Sequence, residues 1–446
     1  MGLYYLLLRA WVHLGDGETT VRLLSCIFGT VTVAALYIAG ARLFDRTTGL
    51  VAALLLAVDA GHLWVSQEAR SYALVMCLTT ISWWFLLRAA TAARGRETWI
   101  AWAAYVVTAA LAVYAHFYAA LVLLAQAGVA LWIPIGTATS DSITGGRIPR
   151  RVVLAGTLAL VALLWPLARF LIAHPHHNID WIGSEHQNRL QGVLWPVMHP
   201  TSSWGLASVA MLVVVGPGAI VAAWRRLTIT TRWRCGVVLM WLGVPIVIAV
   251  ATSLLLTPVI DQRYLTVCLP PLALATAVAL THVWPPRWFG GALLTVLAVD
   301  SVSVHWYYTH AVNEDWRGAT AYVIGQAAPG DRVLFYAPYV HIPFDLYRDR
   351  LGVVRDASPQ GPRHGQSLAV ATAEARAQAP RVWLVLSHVD SPACQRAVAR
   401  DLGSRFASGT RRAFTQIEVD LFSAPSDSSS GQAPAADSIS VNCPQR

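Results

Sequence analysis

The stretch VRLLSCIFGTVTVAALYIAGA, residues 21–41, contains a single charged side chain, Arg22, in 21 residues. An α-helix rises about 1.5 Å per residue, so this stretch is long enough to cross the hydrocarbon core of a bilayer, which is about 30 Å thick. The stretch therefore predicts a transmembrane helix, and it decides how the rest of the chain is interpreted.

The composition extends this prediction to most of the 446 residues. Apolar side chains make up 56% of the chain and charged ones only 13%, whereas a soluble domain carries about 25% charged residues. The ten stretches long and apolar enough to span a membrane are 21–41, 49–65, 71–90, 98–115, 117–134, 152–173, 205–224, 236–256, 265–283 and 289–308. We therefore predict an α-helical polytopic membrane protein.

The arginines predict how these spans are oriented. The sequence contains no lysine, which excludes chemistry that needs a Schiff-base or P-loop lysine. Alternate loops hold most of the arginines, namely Arg42, Arg46, Arg88, Arg94, Arg96, Arg147, Arg150, Arg151, Arg225, Arg226, Arg232, Arg234 and Arg287. Basic loops face the cytoplasm, so Arg70, Arg189 and Arg263 are predicted to lie outside. The net charge of +9 follows from these loops and does not indicate nucleic acid as a partner.

An even number of spans places both ends of the chain outside. Residues 1–20 are then predicted to form an outer-surface juxtamembrane helix, followed by a transmembrane domain over 21–310. Residues 311–423 are predicted to form an extracytoplasmic α/β domain, because DRVLFYA and RVWLVLS are typical of strands and WRGATAYVIGQA and SPACQRAVARDLGSRF of helices. The Ser- and Pro-rich tail, 424–446, is predicted to be disordered, and Cys394 is predicted to pair with Cys443.

Polar residues cluster in the predicted outer loops. GHLWVSQEARSYAL places Glu68 and Arg70 at the membrane boundary, where charges are costly unless paired, hydrated or functional. YAHFY places His116 at a hairpin, and TPVIDQRYLTVCLPP places Arg263 and Tyr264 at the mouth of the ninth span. The structural alternatives are a Glu–Arg pair, an interfacial histidine and membrane anchoring by Arg and Tyr.

The longest outer loop, HPHHNIDWIGSEHQNRL at 174–190, contains four histidines. A metal site and a solvated polar loop are both compatible with it, and its spacing favours the solvated loop. If the spans form a bundle, the outer residues converge on one cavity. In such a cavity a carboxylate could act as a base on a hydroxyl group. The arginines could bind a phosphate leaving group and stabilise its charge.

Six stretches together resemble the bacterial GT-C glycosyltransferases related to family 39 protein mannosyltransferases. They are, in chain order, GLYYLLLRAW, DGETTVRLLSCIFGT, HLWVSQEARSYAL, YAHFY, DQRYLTVCLPP and EDWRGATAYV. The resemblance covers most of the chain, and SQEARSYAL is its most specific part. It implies a GT-C-like enzyme of about ten transmembrane helices. Such an enzyme transfers a sugar from a polyprenyl-phosphate carrier to an acceptor outside the membrane.

The resemblance also assigns candidate site residues. Glu68 is the candidate catalytic carboxylate. The candidate substrate or phosphate ligands are Gln67, Arg70, Tyr72, His116, Arg263 and Tyr264. No metal ligand is assigned, and a divalent cation is left open as a cofactor. Tyr4 and Tyr5 match the YY segment of the family, and Glu18 and Arg22 match the acid and the arginine of its next stretch.

One departure concerns the start of the chain. In that family a first helix and a loop with a catalytic Asp precede the YY segment, whereas here Met1-Gly2 stand in the place of HPP and Asp16 follows the segment. We therefore expect this chain to lack that helix and loop. If an upstream extension supplies them, its acid is the expected base, and Glu68 would orient the acceptor or bind a metal.

The expected function is transfer of a sugar, with mannose as a candidate, at a bacterial plasma membrane. The acceptor is a glycan, a lipid or a protein. Two alternatives are a lipid-linked saccharide transporter and a non-catalytic relic or scaffold. Transport is disfavoured because the spans show no inverted repeat and few internal charges, Asp59 and Arg169 being expected toward span ends.

Overall fold

The structure of the chain is a computed structural model that describes residues 2–91, 96–132, 150–173, 203–255, 260, 263–310, 313–336, 338–352, 368–387 and 392–423. The chain divides into two compact units, Met1–Thr309 and His310–Arg446. The predicted loop 174–190, the predicted tail 424–446 and the side chains of the predicted Cys394–Cys443 pair lie outside the described part.

Helices dominate the described part of the first unit, since a helix satisfies its backbone hydrogen bonds within one segment. They are α1 Gly2–Trp11, α2 Glu18–Leu43, α3 Arg46–Ala57, α4 Ala60–Gln67, α5 Tyr72–Thr91, α6 Arg96–Ala115, α7 Ala119–Trp132, α8 Arg150–Ala173, α9 Ser203–Val213, α10 Ala219–Ala223, α11 Ile229–Leu255, α12 Leu269–Val278 and α13 Pro286–Thr309. Three 3₁₀ turns, Val12–Leu14, Trp224–Arg226 and Tyr264–Cys268, and two π turns, Val214–Gly218 and Ala279–Val283, join or extend them.

The described helices confirm a polytopic membrane protein. Eight helical segments are long and apolar enough to cross a membrane, and α3 with α4 forms a ninth candidate that is bent by 62°. The fifth predicted span, 117–134, corresponds to α7, whose apolar part, Ala119–Ala130, belongs to the shorter class of 10–17 residues. The residues that directly follow α7 lie beyond the described range.

The bend between α3 and α4 has a local cause. The carboxylate of Asp59 accepts a hydrogen bond from the backbone amide of His62 at 2.7 Å and so caps α4. Asp59 is only 4% exposed. Asp59 is expected toward a span end, and the structure places it at the bend between two helices, where it begins α4.

Close backbone contact joins α2, α3 and α12. A Cβ atom built on Gly40 would lie 3.0 Å from the Cα of Gly49 and 3.0 Å from the Leu274 side chain. A Cβ atom on Gly49 would lie 2.5 Å from the carbonyl oxygen of Tyr37. All residues of α12 after Leu269 are buried, so α12 is a central helix of the unit, and the glycines allow α2 and α3 to pack beside it.

The second unit contains a four-stranded sheet with helices on its faces. Its elements are α14 Trp316–Gln326, β1 Arg332–Tyr336, the 3₁₀ turn Pro338–Val340, α15 His341–Arg350, α16 Leu368–Gln378, β2 Arg381–Leu386, α17 Pro392–Gly403, β3 Ala407–Phe414 and β4 Ile417–Ser423. The strand order is β1-β2-β4-β3, with β1 and β2 parallel and the other pairs antiparallel. The expected α/β character of this region is confirmed.

Alternating side chains of the sheet form two cores. Leu384 of β2 packs in one cluster with Ala371 of α16 and Leu402 of α17. Trp383, which immediately precedes Leu384, packs in the other cluster with Val323 of α14. Both faces of the sheet are therefore covered by helices, as in a three-layer α/β arrangement.

We expect Gly49→Ala to lower the thermal stability of the purified protein, because the added methyl group would force α2 and α3 apart. Overpacking of this kind costs about 1–3 kcal/mol, and the melting temperature is measured by intrinsic tryptophan fluorescence in detergent. Gly243→Ala is the matched control, since a Cβ atom at Gly243 meets no atom within 4 Å. An unchanged melting temperature in Gly49→Ala would contradict the close contact of the two helices.

Candidate functional site

The candidate site begins at the turn between α4 and α5. Helix α4 ends at Gln67 because Glu68 adopts an extended backbone conformation, with φ −88° and ψ 134°. The amide of Arg70 then donates to the carbonyl oxygen of Glu68 at 2.8 Å, and α5 begins at Tyr72. Four of the predicted site residues therefore lie within one short turn at an end of the helical unit.

Gln67 connects this turn to the last span. Its Nε2 donates to the hydroxyl oxygen of Tyr308 at 2.6 Å, and its Oε1 accepts from the hydroxyl group of Tyr307 at 3.2 Å. Both ends of the amide are thus engaged with α13. Gln67 therefore holds α4 against α13. Direct contact of Gln67 with a substrate stays a prediction.

Glu68 and Ser71 each present a polar atom that is not used by the described protein. Oε2 of Glu68 and Oγ of Ser71 are buried and have no hydrogen-bond partner among the described residues. Buried polar atoms without partners are uncommon in proteins and call for an explanation. A bound polar ligand would supply the missing hydrogen bonds.

Arg70 adds a positive charge next to Glu68. Desolvation acts to lower the pKa of Arg70, but the charge of Glu68 and a hydrogen bond with the hydroxyl group of Tyr72 outweigh it and raise that pKa. Tyr5 of α1 also lies within electrostatic reach of Arg70. The guanidinium group therefore stays charged beside the carboxylate.

His116 is buried in a cluster of aromatic rings between α6 and α7, with only 1% of its surface exposed. The distances between ring centroids are 4.9 Å to Tyr264, 4.9 Å to Phe117, 5.7 Å to Tyr72 and 5.8 Å to Tyr118. The rings of Tyr72 and Tyr264 are 6.3 Å apart. Tyr72 thus belongs both to the cluster and to the turn that carries Glu68.

The hydrogen bonds of His116 define its tautomer. The backbone amide of Tyr118 donates to Nδ1 at 3.2 Å, so the proton of the neutral ring is assigned to Nε2. Burial lowers the pKa of His116 from its ordinary 6.5 to about 3. Nε2 is buried and has no partner in the described part of the chain, so it is a neutral donor that can serve a ligand.

Arg263 and Tyr264 approach the same turn from the other side. Arg263 precedes the 3₁₀ turn that begins at Tyr264, and its guanidinium carbon lies 5.9 Å from the ring centroid of Trp64 in α4. The contact leaves the cation beside the helix that ends at Gln67. The structure therefore brings all seven predicted residues into one region of the first unit.

Sequence reasoning missed several residues of this region. Tyr118 completes the aromatic cluster, with its ring 4.8 Å from that of Tyr264, and Tyr307 and Tyr308 hold Gln67. Arg22 and Glu68 both act electrostatically on Tyr307, so Arg22 also belongs to the region. The adjacent tyrosines at the end of the last span are the available signal.

The described residues do not form a metal site of familiar composition. No group of three or more His, Cys, Asp or Glu side chains that could hold a metal ion occurs in the described ranges. Asp16, which precedes α2, is exposed at the surface.

The N-terminal part of the chain matches a family of known function. Residues 3–165 match the model of the family described as dolichyl-phosphate-mannose-protein mannosyltransferase, which is less than half of the chain. None of the curated proteins matches the chain.

Solved structures with a similar fold cover nearly the whole chain. ArnT from Cupriavidus metallidurans in the apo state has a TM-score of 0.56 and 13% identity, with 94% of this chain and 87% of that chain covered. The same protein bound to undecaprenyl phosphate has a TM-score of 0.53, 13% identity and the same coverage. The oligosaccharyltransferase of Archaeoglobus fulgidus, in complex with Zn and sulfate, has a TM-score of 0.47 and 13% identity, over 86% of this chain and 59% of that chain.

The family match and the fold together confirm the resemblance to GT-C membrane glycosyltransferases. At 13% identity the structural likeness shows the fold alone. The expectation that a first helix and an acidic loop are missing stays a prediction.

We expect His116 to make the protein less stable in acid. Its folded-state pKa of about 3 lies below the unfolded value, so its contribution to stability is complete above about pH 6.5 and is lost as pH falls toward 3. The melting temperature of wild type should therefore fall more steeply between about pH 7.5 and pH 5 than that of His116→Gln. His13→Gln, at an exposed position, is the matched control, and equal slopes in wild type and His116→Gln would contradict the burial of a neutral imidazole.

Proposed function

We propose that this protein is a membrane glycosyltransferase that moves a sugar from a polyprenyl-phosphate carrier to an acceptor on the outer side of the membrane. The observation that carries the proposal is that one end of the bundle holds three buried polar atoms without a partner among the described residues, Glu68 Oε2, Ser71 Oγ and His116 Nε2, in the same region as Arg70 and Arg263. Mannose is the candidate sugar, because it is named in the description of the family that matches residues 3–165.

The proposed reaction is a displacement with inversion at the anomeric carbon. The acceptor hydroxyl group loses its proton to the carboxylate of Glu68, and its oxygen forms a bond to that carbon. The bond between the carbon and the phosphate oxygen breaks, and the lipid phosphate leaves with the electron pair. Each proton and charge has a recipient, because Glu68 takes the proton and the arginines neutralise the departing phosphate.

The arginines suit a phosphate in different ways. Arg70 is exposed and carries a charge that Glu68 supports, whereas Arg263 lies against Trp64. A guanidinium group can donate two parallel hydrogen bonds to phosphate oxygens, which fixes both distance and orientation. Together they would hold the leaving group on one side of the sugar while Glu68 faces the acceptor.

The aromatic cluster suits a sugar ring. Sugar rings bind proteins through apolar faces and hydroxyl edges, and the rings of Tyr72 and Tyr264 with the Nε2 donor of His116 offer both kinds of contact. Because His116 is neutral, it would donate to a hydroxyl oxygen without adding charge. Gln67 would keep α4, and therefore Glu68, in position.

A polyprenyl phosphate is the proposed donor lipid because ArnT, which shares the fold, has been crystallised with undecaprenyl phosphate. The arginine distribution supports an outward-facing site, since the turn with Glu68 lies between spans whose other ends carry basic loops. We place the protein in a bacterial plasma membrane with its second unit outside. That unit would position a glycan, lipid or protein acceptor or serve as a structural cap.

We expect Glu68→Gln to reduce sugar transfer about 100-fold or more, because it removes the base and keeps the side-chain shape. Arg263→Gln should reduce kcat/KM about tenfold or more, because a charged hydrogen bond to the phosphate is lost. The assay follows labelled sugar from a synthetic polyprenyl-phosphate donor to acceptor in membranes that contain each variant.

Glu97→Gln and Arg287→Gln are the matched controls, since both residues are exposed and lie at the other ends of their spans. Transfer that is unchanged in Glu68→Gln and Arg263→Gln would remove those two roles. Movement of the lipid-linked sugar across sealed vesicles without donor consumption would instead identify a transporter.

A further inference from the structure

A second feature lies far from this site, on the outside of α11. A groove of about 500 Å³ follows the helix and has an almost wholly apolar lining. Residues that line it include Trp224, Gly236, Leu239, Met240, Gly243 and Val247. Val247 is 65% exposed, so within the described part of the chain the groove opens toward the outside of the bundle.

Two glycines shape the groove. Gly236 and Gly243 are seven residues apart and so lie on the same face of α11. A Cβ atom on Gly243 would meet no atom within 4 Å, so the face is recessed there. From Gly236 to Ile248 the groove is about 18 Å long. This length is close to the hydrocarbon thickness of one leaflet, which is half of about 30 Å.

One end of the groove is strongly basic. Arg225 and Arg226 lie in the 3₁₀ turn that begins with Trp224, and Arg232 and Arg234 lie in the first turns of α11. Nη2 of Arg232 donates to the carbonyl oxygen of Arg225 at 2.6 Å, which holds the turn against the helix. The Nε atoms of Arg232 and Arg234 are buried and have no hydrogen-bond partner among the described residues.

The neighbouring acid does not neutralise this end. Asp45 acts electrostatically on Arg234, but its carboxylate is also engaged by Thr48 and by His282, whose Nε2 lies 2.8 Å away. The carboxylate of Asp45 is therefore shared among Arg234, Thr48 and His282. Arg232 lies four residues before Gly236 and so shares the groove face of α11, where it offers one buried Nε donor, and Arg225 and Arg226 add two exposed cations.

We infer that this groove binds a diacyl anionic phospholipid, with one acyl chain against α11 and the phosphate among Arg225, Arg226 and Arg232. The length of the groove fits an acyl chain of a single leaflet better than a much longer polyprenyl chain. The basic end also lies where the arginine rule places the cytoplasmic surface, whose lipids include anionic ones.

The inference is independent of the proposed function. Helix α11 has 27 residues and is about 40 Å long. Its first turns therefore lie at the opposite end of the bundle from Tyr264, which follows it in the chain. Loss of lipid binding would leave the Glu68 region in place, and loss of sugar transfer would say nothing about the groove.

The test uses native mass spectrometry of the full chain after detergent purification and addition of phosphatidylglycerol or phosphatidylcholine with identical acyl chains. We expect wild type to retain phosphatidylglycerol preferentially. Gly243→Leu should abolish that preference by filling the groove, and Gly290→Leu is its control, since a Cβ atom there also meets no atom within 4 Å. Arg225→Gln should weaken retention about fivefold, as expected for one arginine near an anionic lipid, and Arg287→Gln should not.

Three outcomes would overturn the inference. The first is equal retention of the two phospholipids by wild type, and the second is undiminished retention in Gly243→Leu. The third is displacement of phosphatidylglycerol by an equimolar polyprenyl phosphate, which would assign the groove to that lipid instead. Gly243→Leu does not touch the Arg232–Arg225 hydrogen bond, so the test does not depend on variants that disturb folding.

Discussion

The structure of the first unit depends on one constraint, which is that backbone polar groups inside a bilayer must be hydrogen-bonded within the protein. In its described ranges the first unit meets it with long helices, and two departures from them are compensated by a side chain or by another helix. Asp59 supplies the acceptor at the break between α3 and α4, and the π turn Val214–Gly218 packs against the buried α12 through Gly216. The irregular turn that carries Glu68 lies at the end of a span, where water or ligand can satisfy the backbone.

This constraint explains where the charged and the neutral polar groups of the candidate site lie. Of the charged groups in the turn, Arg70 is exposed and Glu68 is half-buried, whereas the neutral imidazole of His116 is buried among aromatic rings. Charge is less costly near the aqueous boundary, and a neutral donor is less costly in the interior. Tyr72 belongs to both environments, because its ring packs toward His116 and its hydroxyl group bonds Arg70.

The spans could be predicted from the sequence because a run such as residues 21–41 has few alternatives to a membrane helix. The grouping of Glu68 with His116 could also be predicted, since both follow spans that end on the side without basic loops. The break at Asp59 could not, because apolar length does not distinguish a straight helix from a capped pair. The hydrogen bonds from Gln67 to Tyr307 and Tyr308 could not be predicted either, because they join residues about 240 positions apart. In the second unit, Leu368–Gln378 and the β3–β4 pair have weaker periodicity, so only the two apolar strands and their nearest helices were evident.

The break at Asp59 also has an electrostatic consequence at the far end of α4. An interrupted span contains an additional helix, and each helix carries a partial positive charge at its first turn and a partial negative charge at its last. The carboxylate of Asp59 lies at the favourable end of α4, whereas the carbonyl groups of its last turn point toward Glu68. That end favours cations, which gives a physical reason for Arg70 and Arg263 to lie beside it. A short helix dipole, created by one buried aspartate, thus helps to set the sign of the charges that collect around the turn.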